Sequence, residues 1–174
     1  MVAGVKNKIG RVLAQLPGWH TTRKIIIIES DDWGCWRTRD RRSLELLSRK
    51  FPHILGDPYT QLDTLETPED LQALFDTLQS VRDSNGNPAV ITANTIVANP
   101  DFKRIEEDDF LNYHYIPINE ELRTDPSRAD VLTVVRQGMQ QRLYYPQLHG
   151  REHLNIRQWL RALQNRHPEL LEAF

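Results

Sequence analysis

Two kinds of hydrophobic pattern take turns along this chain. Short unbroken apolar runs read as strands, and stretches with apolar residues three or four positions apart read as helices. The first run, Lys24 to Ser30, holds Ile25, Ile26, Ile27 and Ile28 in succession. It shows no alternation, so a strand buried on both faces is expected, as in a parallel sheet. A polar loop and a short helix near Ser43 to Lys50 follow, and Pro52, Gly56 and Pro58 then break the chain. The clearest helix comes next. Thr67 suits its N-cap, Pro68 its first position, and Glu69 and Asp70 the positive end of its dipole. Leu71, Leu74, Phe75, Leu78 and Val81 share one face of it.

Ser84-Asn85-Gly86-Asn87 is a turn signal leading into a second strand, Pro88 to Ala93. Asn99-Pro100-Asp101 opens a short helix, and a third strand is expected over Tyr113 to Ile118. Ser127 can cap a helix running to about Arg142, with Val131, Val134, Val135 and Met139 inward. The fourth strand is Leu143 to Leu148. A last helix runs from about Arg151 to Asn165 on Leu154, Ile156, Trp159, Leu160 and Leu163. Helix crossovers between such strands are right-handed.

These units predict an α/β fold. Its parallel strand–helix repeats form a partial (β/α) barrel of about four strands, half of a deformed TIM-like barrel with its eight. The expectation is a single domain over 1–174, incomplete at its C-terminus. A half barrel leaves strand edges and an apolar face uncovered. The sheet is then open and self-sufficient, or is completed by a missing C-terminal half or by a partner such as a second copy.

Composition adds limits. Over 174 residues, 39% are hydrophobic and 26% charged, the balance of a soluble globular chain large enough for a real core. The formal net charge is −2 and there is no basic block, which argues against a dedicated nucleic-acid binder. No apolar stretch approaches the roughly 18 residues of a membrane span. Residues 1–18 lack the continuous apolar core of a secretory signal and read as a short amphipathic helix. Cys35 is the only cysteine, so no intrachain disulfide forms and a cytoplasmic location is expected.

The chemistry concentrates at two strand ends. Asp31 and Asp32 follow the isoleucine run, and His149 and His153 follow the fourth strand. Two adjacent carboxylates repel unless a cation relieves them. One can bind that cation while the other takes a proton from water. The two histidines are close enough in sequence to reach one ion through imidazole nitrogens. Parallel α/β folds place active sites at the C-terminal ends of strands. Three ligands would leave a coordination position open, as in catalytic zinc sites. The same histidines spell His-x-x-Glu-His, the pattern of inverzincin peptidases with Glu152 as base, although Gly150 weakens a helix there.

Other residues have structural and functional readings side by side. Trp33, Trp36 and Arg37 follow the aspartates and can form an aromatic platform for a sugar or a packed loop. Asn94 and Asn99 flank the end of the second strand and can line the same pocket or simply make turns. Arg37, Arg39, Arg41 and Arg42 form a solvated surface run or, more sharply, a phosphate site. His114 is either a partly buried strand residue or an acid for the same site.

Taken together, the segments resemble the polysaccharide deacetylase family of carbohydrate esterases. Asp31-Asp32-Trp33-Gly34 looks like the family's first motif, and His149-Gly150-Arg151-Glu152-His153 like its second. The resemblance implies a deformed α/β barrel, a divalent metal, often zinc, and a carbohydrate substrate. It implies Asp31 as catalytic base and Asp32, His149 and His153 as metal ligands; Trp33 and Asn94, by their positions after β-strand ends, are the residues expected beside the substrate. The implied reaction is hydrolysis of an acetyl group on a sugar. Ser30 stands where the family has an aromatic residue, and Gly150 where it has a hydroxyl residue. The later motifs, which supply an arginine, an Asp-Trp pair and a histidine acid, have no counterpart in the 174 residues. An inverzincin-type peptidase and a non-catalytic metal- or glycan-binding module are the alternatives.

Overall fold

The computed structural model describes residues 11, 14–15, 17–36, 38, 40–62 and 64–174. The helix expected within 1–18 lies largely outside them, as do Arg37 and Arg39 of the arginine run. Strands β1 (Ile28–Trp33), β2 (Ile91–Ile96) and β5 (Tyr144–Gly150) form one sheet in the order β1-β2-β5. Both pairings are parallel. Strands β3 (Ala98–Pro100) and β4 (Tyr115–Pro117) form a separate antiparallel ribbon. Around them lie α1 (Arg41–Lys50), α2 (Pro58–Gln61), α3 (Pro68–Ser80), α4 (Phe102–Glu107), α5 (Ile118–Thr124), α6 (Val131–Gln140), α7 (Ile156–Gln164) and α8 (Pro168–Ala173).

The fold is therefore mixed α/β, but the parallel sheet has three strands where four were expected. The described residues close no barrel. The expected third strand is the short β4, which pairs with β3 instead. Each partner holds a proline, which removes a ladder donor and suits a short edge ribbon better than a central strand.

One face of the sheet is covered. Ile91, Ala93 and Tyr144 pack in a buried cluster with Leu71, Phe75 and Leu78 of α3 and Val131 of α6. A capping box starts α3: Thr67 Oγ1 accepts from Asp70 N at 3.2 Å, and Asp70 Oδ2 accepts from Thr67 N at 2.9 Å. Helices α3 and α6 meet closely at Gly138, where an added Cβ would lie 2.3 Å from the Phe75 ring. A second cluster joins Ile105 of α4, Phe110 and Leu163 of α7, with Trp159, Leu170 and Phe174 around it.

Strand alternation puts Glu29, Asp31, Thr92, Asn94, Tyr145 and Gln147 on the opposite face. That face is mostly open, with Tyr145 59% exposed.

The isoleucine run departs most from expectation. Ile25, Ile26 and Ile27 precede β1, and Ile26 and Ile27 are 88% and 78% exposed. Composition reads as burial only when a neighbour supplies the cover. Here β1 is an edge strand paired with β2 alone. Other boundaries shift by a few residues. Ser127 does not cap a helix; its N–H goes to Asp125 Oδ1 at 2.9 Å in a 3-10 turn, and α6 starts at Val131. The last long helix starts at Ile156 rather than Arg151, capped by Asn155. Pro168 opens α8.

Candidate metal centre

Both motifs sit in irregularities of the parallel sheet. Ser30 pairs with Ala93 and Trp33 with Thr95, so Asp31 and Asp32 together oppose the single residue Asn94. On the other side of β2, Leu148 pairs with Thr95 and Gly150 with Ile96, which leaves His149 as an extra residue. These are β-bulges, which re-aim side chains and are frequent beside active sites. Asp32 occupies the left-handed region with φ 65°, a conformation Asp tolerates better than most residues. The extra residue lets Asp31 stay on the open face while Trp33 returns to the helix-covered one. There Trp33 meets the Tyr144 ring edge-on at 5.5 Å.

The strands β1 and β5 are not neighbours, yet their bulged ends converge beyond β2. Asp32 Oδ1 lies 3.6 Å from His149 Nε2 and 4.0 Å from His153 Nδ1. The two imidazoles stack with centroids 5.6 Å apart and an interplanar angle of 14°. All three donor atoms lie within 4.8 Å of one another. Bonds of about 2.0–2.1 Å in a tetrahedral shell put ligand atoms about 3.3 Å apart. Small rotations therefore bring this set onto one ion. The Asp32 oxygen is shielded from solvent, whereas the His153 side chain is 63% exposed. The donors are one carboxylate and two imidazoles, and the exposed side leaves room for a further ligand.

A loop follows each of the two strand ends, and the β3–β4 ribbon with its flanking residues holds both. Asn99, 1% exposed, donates from Nδ2 to Gly34 O at 2.8 Å and to Glu121 Oε2 at 2.6 Å. Its Oδ1 accepts from Trp36 N at 3.0 Å, and Trp36 Nε1 donates to Glu121 Oε1 at 2.7 Å. Burial pushes the Glu121 carboxyl above its ordinary range, and the bonds from Asn99 and Trp36 oppose that. Gly34 has φ +79° and would place a Cβ 2.9 Å from Ile96 O, so only glycine fits this turn. On the histidine side, Arg151 O accepts from Ala98 N at 2.8 Å and Val97 N at 3.2 Å. The Arg151 guanidinium lies over the Tyr115 ring at 4.6 Å.

The other expected site residues have definite positions. Asp31 is exposed on the open face, where its Oδ1 accepts from Asn94 Nδ2 at 2.6 Å. Asn94 is nearly buried, and its amide also donates to Glu29 Oε1 at 2.7 Å. Trp33 packs against the core and contributes to the wall of an open cleft. His114 is tied to Asp108 Oδ2 at 3.0 Å and lies on the β4 side of the ribbon. Glu152 pairs with Arg151, 2.9 Å from Nη2 to Oε1. His149 ends a strand and His153 lies in the following loop, so no helix carries the His-x-x-Glu-His segment.

Concave surface flanks the Asp32, His149 and His153 group on two sides. A cavity of about 400 Å³ on the histidine side is lined by Asp32, Trp36, Phe102, His153 and Trp159. A wider cleft of about 760 Å³ runs past Asp31, Asp32, Tyr59 and Leu62. Glu66 also lines this cleft. Burial raises its carboxyl pKa despite hydrogen bonding from the Gly34 backbone and the nearby Arg128 charge. Nothing in its local sequence distinguishes it from a surface glutamate, because its burial depends on the fold around the β1 loop. No family model, curated protein or solved structure matches this chain.

Proposed function

We propose that this protein is a metal-dependent hydrolase that removes acetyl groups from a carbohydrate, resembling the polysaccharide deacetylases. One observation carries the reading. Asp32, His149 and His153 converge on a common point while the adjacent Asp31 is held apart on the open face. Two imidazoles and one carboxylate suit a divalent ion, and zinc is the proposed one. An ion held there polarises a carbonyl and acidifies a water. Asp31 acts as general base and takes the proton of the attacking water. Trp36 and Trp159 offer aromatic surface to a sugar in the cavity beside His153, Trp33 lines the cleft that also takes in Asp31, and Asn94 holds Asp31 from the central strand. The open sheet accepts further strands, from a second copy or from additional sequence. The lone cysteine fits the reducing cytoplasm, and no described helix is long and apolar enough to cross a membrane.

Calorimetric titration of zinc into the metal-stripped chain tests the centre, followed by turnover of acetylated chito-oligosaccharides. Native protein and Asp31→Asn should bind one ion each, and Asp32→Ala should lose it. Asp31→Asn should lower turnover by about 10²–10⁴-fold, the usual contribution of a general base. Binding without any turnover by the native chain would support a non-catalytic metal-binding module. The peptidase alternative lacks its helix, and Glu152→Gln should leave deacetylation intact.

A further inference from the structure

The open face of the sheet contains an arrangement that the metal ligands do not explain. Glu29 and Asp31 are two apart on β1, so their carboxylates project from the same face. Asn94, on the central strand, reaches between them. Its Nδ2 donates to Glu29 Oε1 at 2.7 Å and to Asp31 Oδ1 at 2.6 Å. The amide nitrogen carries two hydrogens, one for each carboxylate, whereas an ionised carboxylate only accepts. The opposite amide orientation would set a carbonyl oxygen against two anions, so the network dictates the assignment. Asn94 itself is 9% exposed, wedged in the sheet, while both acids lie at the surface.

We propose that Asn94 is a positioning residue for Asp31, with Glu29 as the second anchor of the same amide. This rests on the reading of Asp31 as the general base. The bulge at Asp31-Asp32 interrupts the β1–β2 ladder, so regular pairing does not by itself set where the two side chains point. Two adjacent aspartates on such a segment compete for one cation. Asn94 resolves the competition by holding one oxygen of Asp31 against the sheet. Asp32 is then the ligand, and the other Asp31 oxygen is left to take the proton. Glu29 completes the device: its bond to the second amide hydrogen fixes the rotation of the Asn94 side chain. Neither Glu29 nor Asn94 needs to touch substrate or metal in this role.

The test uses the full 174-residue chain. Side-chain amide hydrogen exchange is followed by NMR without metal, and 4-nitrophenyl acetate turnover is measured with zinc loaded. Both Asn94 amide protons should be protected in the native protein, and Glu29→Ala should release one. Asn94→Ala should lower kcat about tenfold or more, since small misplacements of a catalytic group are costly. KM and zinc affinity should stay within about twofold, because the ligands are untouched. The Glu29→Ala/Asn94→Ala double variant should be no slower than Asn94→Ala, because both act through one amide. Full turnover by Asn94→Ala beside an inactive Asp31→Asn would overturn the positioning role and leave the base assignment standing. Full turnover by Asp31→Asn would remove both. Should Asn94→Ala fail to fold, Glu29→Ala at its exposed position decides: unchanged kcat with unchanged exchange sinks the proposal. Amide protons that exchange as fast as those of a solvent-exposed asparagine sink it whatever the turnover.

Discussion

At the residue scale, the surroundings of the candidate site include side chains whose local sequence says little about their burial. Glu66 is the sharpest case. Its carboxyl pKa is raised above the ordinary 4.5, chiefly by burial, with Asp70 adding to the rise and Arg128 and backbone N–H groups opposing it. A folded-state pKa above the unfolded one means the folded protein holds the proton more tightly. The associated stability is fully present below about pH 4.5 and is lost as the pH rises through the folded value. Glu66→Gln keeps an acceptor for the Gly34 N–H but does not titrate. Urea midpoints should therefore shift in favour of Glu66→Gln between pH 4 and pH 7. An identical native-to-variant difference at both pH values would show that burial does not penalise the charge. By contrast, Asp32, His149 and His153 are legible in the sequence as a group able to hold a cation, because their chemical types are few and they cluster at apolar-run ends.

At the scale of elements, the best-marked helix follows its sequence, since capping and amphipathic spacing are local signals, except that Val81, expected on its apolar face, caps its C-terminus and is 60% exposed. Its N-cap Thr67, Pro68 and buried Leu71, Phe75 and Leu78 all appear as expected. What α3 packs against is not local information. Gly138 of α6 lets the Phe75 ring approach so closely that an added methyl would overlap three ring atoms, the nearest at 2.3 Å. Gly138→Ala should destabilise the fold by about 1–3 kcal/mol through overpacking, despite alanine's better helix propensity. Combining it with Phe75→Leu should cost less than the sum of the two single changes, as residues in contact couple. Denaturant unfolding of the four proteins measures this, and additivity would refute the contact. The strands were less legible. The expected second strand ended at Ala93, while β2 runs on to Ile96 and turns into β3. Pairing partners, not periodicity, set those limits.

At the scale of the whole molecule, the three-stranded sheet is covered on one face and open on the other. The exposed Ile25, Ile26 and Ile27 extend from an edge strand. Apolar edges of this kind promote pairing with other chains. Sedimentation over a concentration series should show self-association, and Ile26→Lys should weaken it without lowering thermal stability. A native protein that stays monomeric throughout would show that the run is not a contact surface.

The sequence by itself determined the α/β class, the strongest helix, and the identity of the residues able to hold a cation, because each is written in local periodicity or in scarce side-chain chemistry. Only the tertiary structure decided that the isoleucines lie exposed and that the parallel sheet has three strands. It alone decided that two bulges on non-adjacent strands turn Asp32 and His149 toward one point. Burial and convergence depend on which segments become neighbours. A bulge arises from the register between two strands, which neither strand specifies alone.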